Sequence, residues 1–119
     1  MKIDIPGLDV DSGLEVCGGD LNIFLYSLDL YVANVRELLT KIYTVSEETL
    51  HDYIINIHSV KGICEYVGAK EAKEKAKQLE FMAKDGDLAG VKAKNETYIE
   101  YLKKLVNDIQ DWLTRNKPL

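Results

Sequence analysis

The amino-acid sequence predicts an all-α protein, an antiparallel up-down-up-down four-helix bundle with a short N-terminal extra helix. From Asp20 onward, apolar residues recur at steps of three and four, which is the period of amphipathic helices. Turn-forming residues interrupt this period only briefly, and short connections make consecutive helices antiparallel neighbours. These two observations are the basis of the predicted fold class.

Composition restricts the protein to a few functional classes. The chain has 119 residues, 46% of them hydrophobic and 29% charged, so we expect a single globular domain over residues 1–119. The formal net charge of −5 disfavours binding to nucleic acid or to an anionic membrane surface. No stretch approaches the roughly 18 consecutive apolar residues of a membrane-inserting helix.

The N-terminus and the two cysteines bear on the cellular compartment. The segment MKIDIPGLDV has no long apolar run, so no signal peptide is expected. Cys17 and Cys64 are too few and too isolated for a disulfide framework or a zinc site. Reduced thiols in a cytoplasmic protein are therefore predicted.

The elements follow in order. Residues 1–19 form a lead-in whose DVDSGLEV segment predicts the extra helix across one end of the bundle. Bundle helices are predicted over about residues 20–43, 46–67, 69–84 and 87–114. Asp20 is the expected N-cap of the first helix and Ser46 that of the second, while Gly68 is expected to end the second helix.

The stretch HSVKG, residues 58–62, places a glycine inside a helix, where it costs about 1 kcal/mol relative to alanine. On a helical wheel, His58 lies on the flank of the apolar stripe and Gly62 on the open side. Lys61, three residues after the histidine, can bring its ammonium alongside the imidazole. We interpret Gly62 as the clearance through which a partner reaches His58.

An accessible imidazole beside an ammonium favours phosphoryl acceptance. Neutral imidazole is a nucleophile, and Lys61 would neutralise the resulting anion. His51 lies two turns from His58, too far to share a metal ion, and the Glu-x-x-His pairs of bundle metal sites are absent. No metal site and no cofactor of its own are predicted for the chain.

A known family shares these residues. The stretch HSVKGICEYVGAKEAKEKAKQLE closely resembles the pattern of histidine-containing phosphotransfer (HPt) domains, and the preceding IPGLDVDSGLEVCGGD is similar to their lead-in. One departure is Glu65-Tyr66, which is bulkier than the small residues often found after the glycine and narrows access. The residues that match in type and spacing are His58, Val60, Lys61, Gly62, Val67, Gly68, Ala69, Leu79 and Glu80.

The resemblance implies a phosphorelay carrier of two-component signalling and not an enzyme with kinase machinery. His58 would accept a phosphoryl group through Nε2 from a receiver-domain aspartate and pass it to another receiver. The implied partners are response-regulator receiver domains, a hybrid histidine kinase, or both, and the receiver would bring the Mg²⁺. Which kinase and regulators it serves, and whether it is free-standing or part of a hybrid kinase, stay open.

Two sets of supporting residues are predicted. Because the helices on either side of the turn at Gly68 run antiparallel, a residue near position 79 lies level with His58. Glu80 is therefore the candidate acceptor for His58 Nδ1–H; alternatively, Glu80 merely pairs with Lys77 or Lys84. Off-core residues form a candidate receiver-docking surface, unless they lie beneath the N-terminal segment. The docking residues are Ile23, Ser27, Leu30, Ile55 and Glu65, with Asn34 extending the row.

Two other function classes remain open at this point. The domain could be a binding-only helical bundle that docks receivers without carrying phosphate. It could also be a structural or dimerising helical module in which the placement of His58, Lys61 and Gly62 is coincidental.

Overall fold

A computed structural model describes residues 3–116, so residues 1–2 and 117–119 of the predicted domain lie outside the described residues. The described chain is helical and contains no β-strand, which confirms the all-α class. A 3₁₀ turn, Cys64–Val67, follows the third helix. The helices are α1 Val10–Val16, α2 Leu21–Ile42, α3 Leu50–Ile63, α4 Lys70–Lys84 and α5 Leu88–Asn116.

The four long helices form a closed ring of neighbours. Helix α2 packs on α3, α3 on α4, α4 on α5, and α5 on α2. Short connections join them in sequence, so each helix runs antiparallel to the next. Near one end of the bundle, Asn95, about two turns into α5, donates to Ile42 O at the end of α2 and accepts from Tyr53 Oη near the start of α3. This buried amide has its hydrogen bonds satisfied and connects three helices.

The start of the second bundle helix differs from its predicted position, whereas the start of the first agrees. Asp20 caps α2 as predicted, accepting from the backbone N–H groups of Asn22 and Ile23. The prediction that Ser46 caps the next helix is wrong, because α3 begins at Leu50 with Thr49 at its N-cap position. Ser46 and Thr49 instead hydrogen-bond to each other in the turn before the helix.

The far end of α3 and the last helix also differ from prediction. The α-helix stops at Ile63, and a tighter 3₁₀ turn continues the predicted segment to Val67. Gly68 then ends it with a φ of 70°, as its expected capping role requires. Helix α5 runs two residues beyond the predicted 114, to Asn116.

Helix α1 lies against the 3₁₀ turn and α2, as the predicted extra helix across one end of the bundle. Asp9 N donates to Gly68 O at 2.8 Å, and a Cβ at Gly68 would lie 1.9 Å from Asp9 O. A Cβ at Gly13 would lie 2.5 Å from Phe24 Cε1. Only glycine at these two positions permits so close an approach.

Candidate functional site

The centre of the site is an exposed histidine joined to a buried carboxylate. His58, on α3, has 63% of its side chain exposed, whereas the Glu80 side chain on α4 is only 5% exposed. His58 Nδ1 lies 2.6 Å from Glu80 Oε2. Since an ionised carboxylate can only accept hydrogen bonds, Nδ1 carries the proton and donates. A neutral ring in this tautomer has its lone pair on Nε2.

Two lysines complete the surroundings of Glu80. Lys61 Nζ lies 2.5 Å from Oε1, and Lys84 Nζ lies 3.2 Å from Oε2, the oxygen that also accepts from His58. Burial alone would raise the pKa of the Glu80 carboxyl, but the hydrogen bonds from Lys61, His58 and Lys84 outweigh it and lower the pKa to about 2. The carboxylate is therefore ionised at neutral pH and holds three donors.

Gly62 leaves the surface beside this cluster open. It is exposed in the last turn of α3, and a Cβ built on it would meet nothing within 4 Å. Lys61, by contrast, is half-buried, because its side chain runs toward Glu80. The geometry gives no packing reason for a glycine at position 62.

The structure brings together His58, Lys61 and Glu80 and separates them from the second histidine. His51 is exposed in the first turn of α3, two turns from His58. Glu80 makes both contacts that the sequence offered as alternatives, one with His58 and one with Lys84. The Lys61 ammonium and the His58 imidazole are linked through this carboxylate, because each contacts a different oxygen of Glu80.

Most of the predicted docking residues line one groove between α1, α2 and the end of α3. Ile23, Ser27, Leu30 and Asn34 form one wall. Ile23, Leu30 and Asn34 are exposed, whereas Ser27 is half-buried and its Oγ lies 3.7 Å from Cys17 Sγ of the N-terminal segment. Ile55 is 51% exposed but lies outside the groove lining, and Glu65 forms an ion pair with Lys73. The remaining lining residues are Val16, Cys17, Tyr26, Tyr31, Ile63 and Tyr66.

Sequence reasoning did not assign Val16, Tyr26 or Tyr66 to this surface. The groove depends on α1 lying against the 3₁₀ turn, a contact between segments distant in sequence. From the sequence, Lys84 was expected only as an alternative ion-pair partner of Glu80. The i,i+4 spacing of the two residues is the feature that indicates this contact.

Within residues 3–116, no group of three or more His, Cys, Asp or Glu side chains is placed to hold a metal ion. No helix among the same residues is long and apolar enough to cross a membrane.

The four-helix ring with an exposed histidine on one helix and a buried glutamate on the next defines a class of signalling domain. The family model for the Hpt domain matches residues 21–112, which is well over half of the chain. The chain therefore belongs to the Hpt domain family. Comparison with curated proteins and with solved structures gave no significant match.

Membership defines the general role. Hpt domains act in the phosphorelays of two-component signalling, where they carry phosphoryl groups without kinase activity of their own. They interact there with receiver domains and histidine kinases.

Proposed function

We propose that this chain is a phosphorelay carrier in which His58 accepts a phosphoryl group from a receiver-domain aspartate and passes it to another receiver. The observation that carries the proposal is the hydrogen bond between His58 Nδ1 and the buried Glu80 carboxylate. That bond keeps the lone pair on Nε2 of an exposed ring. A neutral imidazole of this kind is a nucleophile at neutral pH.

The transfer step needs no base at Nε2, because that nitrogen carries no proton. The Nε2 lone pair forms a bond to phosphorus while the bond from phosphorus to the aspartate oxygen breaks, and its electron pair returns to that carboxylate. Because Nδ1 keeps its proton, the phosphorylated ring is a cation, and Glu80 is its counter-ion. In the next transfer the neutral Nδ1–H imidazole leaves.

Lys61 is proposed to stabilise the phosphoryl oxygens. It follows His58 by three residues, so both side chains project from neighbouring positions on α3. In the unphosphorylated protein its ammonium contacts Glu80 Oε1. We propose that Nζ turns from that oxygen toward the phosphoryl group during transfer. The receiver supplies the aspartate and Mg²⁺, and no cofactor is proposed on this chain.

Receiver docking is proposed on the apolar surface reached from His58 across the outer side of α3. Ile55 and Gly62 lie on a helical wheel between His58 and Ile63, and Ile63 lines the groove. The groove lining carries no formally charged side chain, and charged residues are depleted at the centre of protein interfaces. The proposed docking residues are Ile23, Ser27, Leu30, Ile55 and, at the rim, Glu65.

The proposed partners are receiver domains of response regulators, a hybrid histidine kinase, or both. A cytoplasmic site of action is proposed on the sequence arguments alone.

Labelling of single-histidine variants tests the assignment of the acceptor. Wild type, His58→Gln and His51→Gln are incubated with phosphoramidate and with a panel of phosphorylated receiver domains. We expect acid-labile phosphate on wild type and on His51→Gln, and none on His58→Gln. Full labelling of His58→Gln would make the assignment wrong. Receiver binding by a wild type that no donor labels would favour the binding-only bundle.

A further inference from the structure

Glu80 is shared by two lysines that differ in which oxygen they contact. Lys61 Nζ contacts Oε1, while Lys84 Nζ and His58 Nδ1 both contact Oε2. If Lys61 turns toward a phosphoryl group, Oε1 loses its donor, but Oε2 keeps both of its own. The carboxylate then still has one lysine as counter-ion.

The contact of Lys84 differs from an ordinary surface pair at i,i+4 spacing. In the pairs Lys41–Glu37 and Lys75–Glu71, the carboxylate side chains are 70% and 61% exposed. Water can replace the lysine there, so such pairs contribute little. The Glu80 side chain is 5% exposed, and a buried carboxylate without a counter-ion is strongly disfavoured.

From this arrangement we propose that Lys84 is a positioning residue that holds the Glu80 carboxylate while Lys61 is engaged with the phosphoryl group. The inference rests on the proposed function, since it assumes that His58 accepts phosphate. The cluster then has one lysine for each of two anions, Lys61 for the phosphoryl oxygens and Lys84 for Glu80. Without Lys84, Lys61 has to serve both.

The consequence is specific to the transfer step. In the unphosphorylated Lys84→Ala variant, Lys61 still contacts Glu80, so the His58 tautomer stays that of wild type. During transfer the same variant leaves Glu80 with the imidazole alone, or it keeps Lys61 away from the phosphoryl oxygens. Either outcome slows phosphorylation of His58.

The experiment measures the initial rate of His58 labelling by phosphoramidate, a donor that needs no protein interface. We expect Lys84→Ala to lower this rate roughly three- to tenfold, because a partly exposed charge contact is lost. Lys84→Arg, which keeps a cation, should restore most of it. Lys77→Ala is the matched control: it removes one positive charge from the same side of α4, and within residues 3–116 Lys77 forms no ion pair with Glu80. Its rate should equal that of wild type.

Two further readouts separate positioning from a general structural or electrostatic effect. The ¹⁵N shifts of the His58 ring in unphosphorylated Lys84→Ala should match wild type. In a double-mutant cycle with Lys61→Ala, removal of Lys84 should slow labelling less than it does in wild type, because no lysine then leaves Glu80 during transfer.

Three results would overturn the proposal. One is a wild-type rate in Lys84→Ala. Another is an equal loss in Lys77→Ala, which would indicate only a general charge effect. The third is a Lys61→Ala, Lys84→Ala double variant whose labelling rate falls by a factor equal to or larger than the product of the factors for the two single variants. If wild type itself takes no label at His58, the proposed function fails along with this inference, and that result is distinguishable from the other three.

Discussion

Helix α4 carries two glutamates that pair with lysine, one on the side that faces α3 and one on the side that faces α5. The two carboxylates differ in solvent exposure. On the α3 flank, Glu80 is 5% exposed and is bound to His58, Lys61 and Lys84. On the α5 flank, Glu71 is 61% exposed, lies 3.7 Å from Lys75 Nζ and accepts from Tyr101 Oη at 3.3 Å.

The difference shows what converts a charged pair into a positioned site. Water competes for every contact of an exposed carboxylate, so such pairs contribute about 0–1 kcal/mol and hold no fixed geometry. A buried carboxylate has only its protein donors, and their hydrogen bonds keep it ionised. Only the α3 flank can therefore hold an imidazole in one tautomer.

The largest effect should distinguish the two glutamates. Glu80→Ala removes the acceptor of His58 Nδ1–H, and loss of a charged hydrogen bond of about 1.5–3 kcal/mol corresponds to a labelling rate lower by roughly ten- to a hundredfold. Glu71→Ala, the matched variant on the α5 flank, should label His58 at the wild-type rate. Phosphoramidate labelling of both variants measures this. Equal losses in the two would remove the distinction between the flanks, and thermal melts control for unfolding.

An acid titration of stability should sharpen the same comparison. The Glu80 pKa falls from 4.5 to about 2 in the folded protein, so between these values the unfolded chain binds more protons. The stabilisation by ionised Glu80 is complete above pH 4.5 and is lost as the pH falls toward 2. We expect the difference in unfolding free energy between wild type and Glu80→Gln to shrink over this window, by roughly 1–3 kcal/mol. Denaturant unfolding at several pH values measures it, and a difference that does not change with pH would contradict the account.

The smallest expected change concerns access to the α3 flank. A Cβ at Gly62 meets nothing within 4 Å, so Gly62→Ala should raise the unfolding free energy by up to about 1 kcal/mol. Gly62→Gln should slow transfer from a phosphorylated receiver but leave phosphoramidate labelling unchanged. Ala93→Gln, at an exposed position in the groove between α4 and α5, is the control and should affect neither route.

The outcomes for Gly62 separate two explanations of the glycine. A large loss of stability in Gly62→Gln would show that the glycine serves packing. Normal transfer from the receiver in that variant would show that access is not its role.

The fold was predictable because helical periodicity is a local property that persists through packing. The all-α class, the short helix before the bundle and the order of the four long helices follow from it. The start of α3 did not follow, since residues 47–49 form a turn after Ser46 and the α-helix begins only at Leu50. The backbone angles that decide where such a turn becomes an α-helix are not specified by the apolar period.

The site was predictable to the level of candidate residue pairs. Antiparallel geometry across the turn at Gly68 made Glu80 a candidate partner of His58, but it did not decide between that contact and a pair with Lys77 or Lys84; the structure contains the His58 contact. The division of the two carboxylate oxygens between Lys61 and Lys84 was not predictable, because it depends on side-chain burial between α3 and α4. The groove walls contributed by Val16 and Tyr66 depend on the close contact of α1 with Gly68.

The most direct test of the central claim is to locate the phosphoryl group on the imidazole ring. Glu80 occupies the Nδ1 side of His58, so we expect the phosphoryl group to bond to Nε2. In ¹⁵N-labelled protein phosphorylated by a receiver domain, coupling between ³¹P and ¹⁵N identifies the bonded nitrogen. Coupling at Nε2 of His58 is the expected result. Coupling at Nδ1 of His58, or at either nitrogen of His51, would contradict the account.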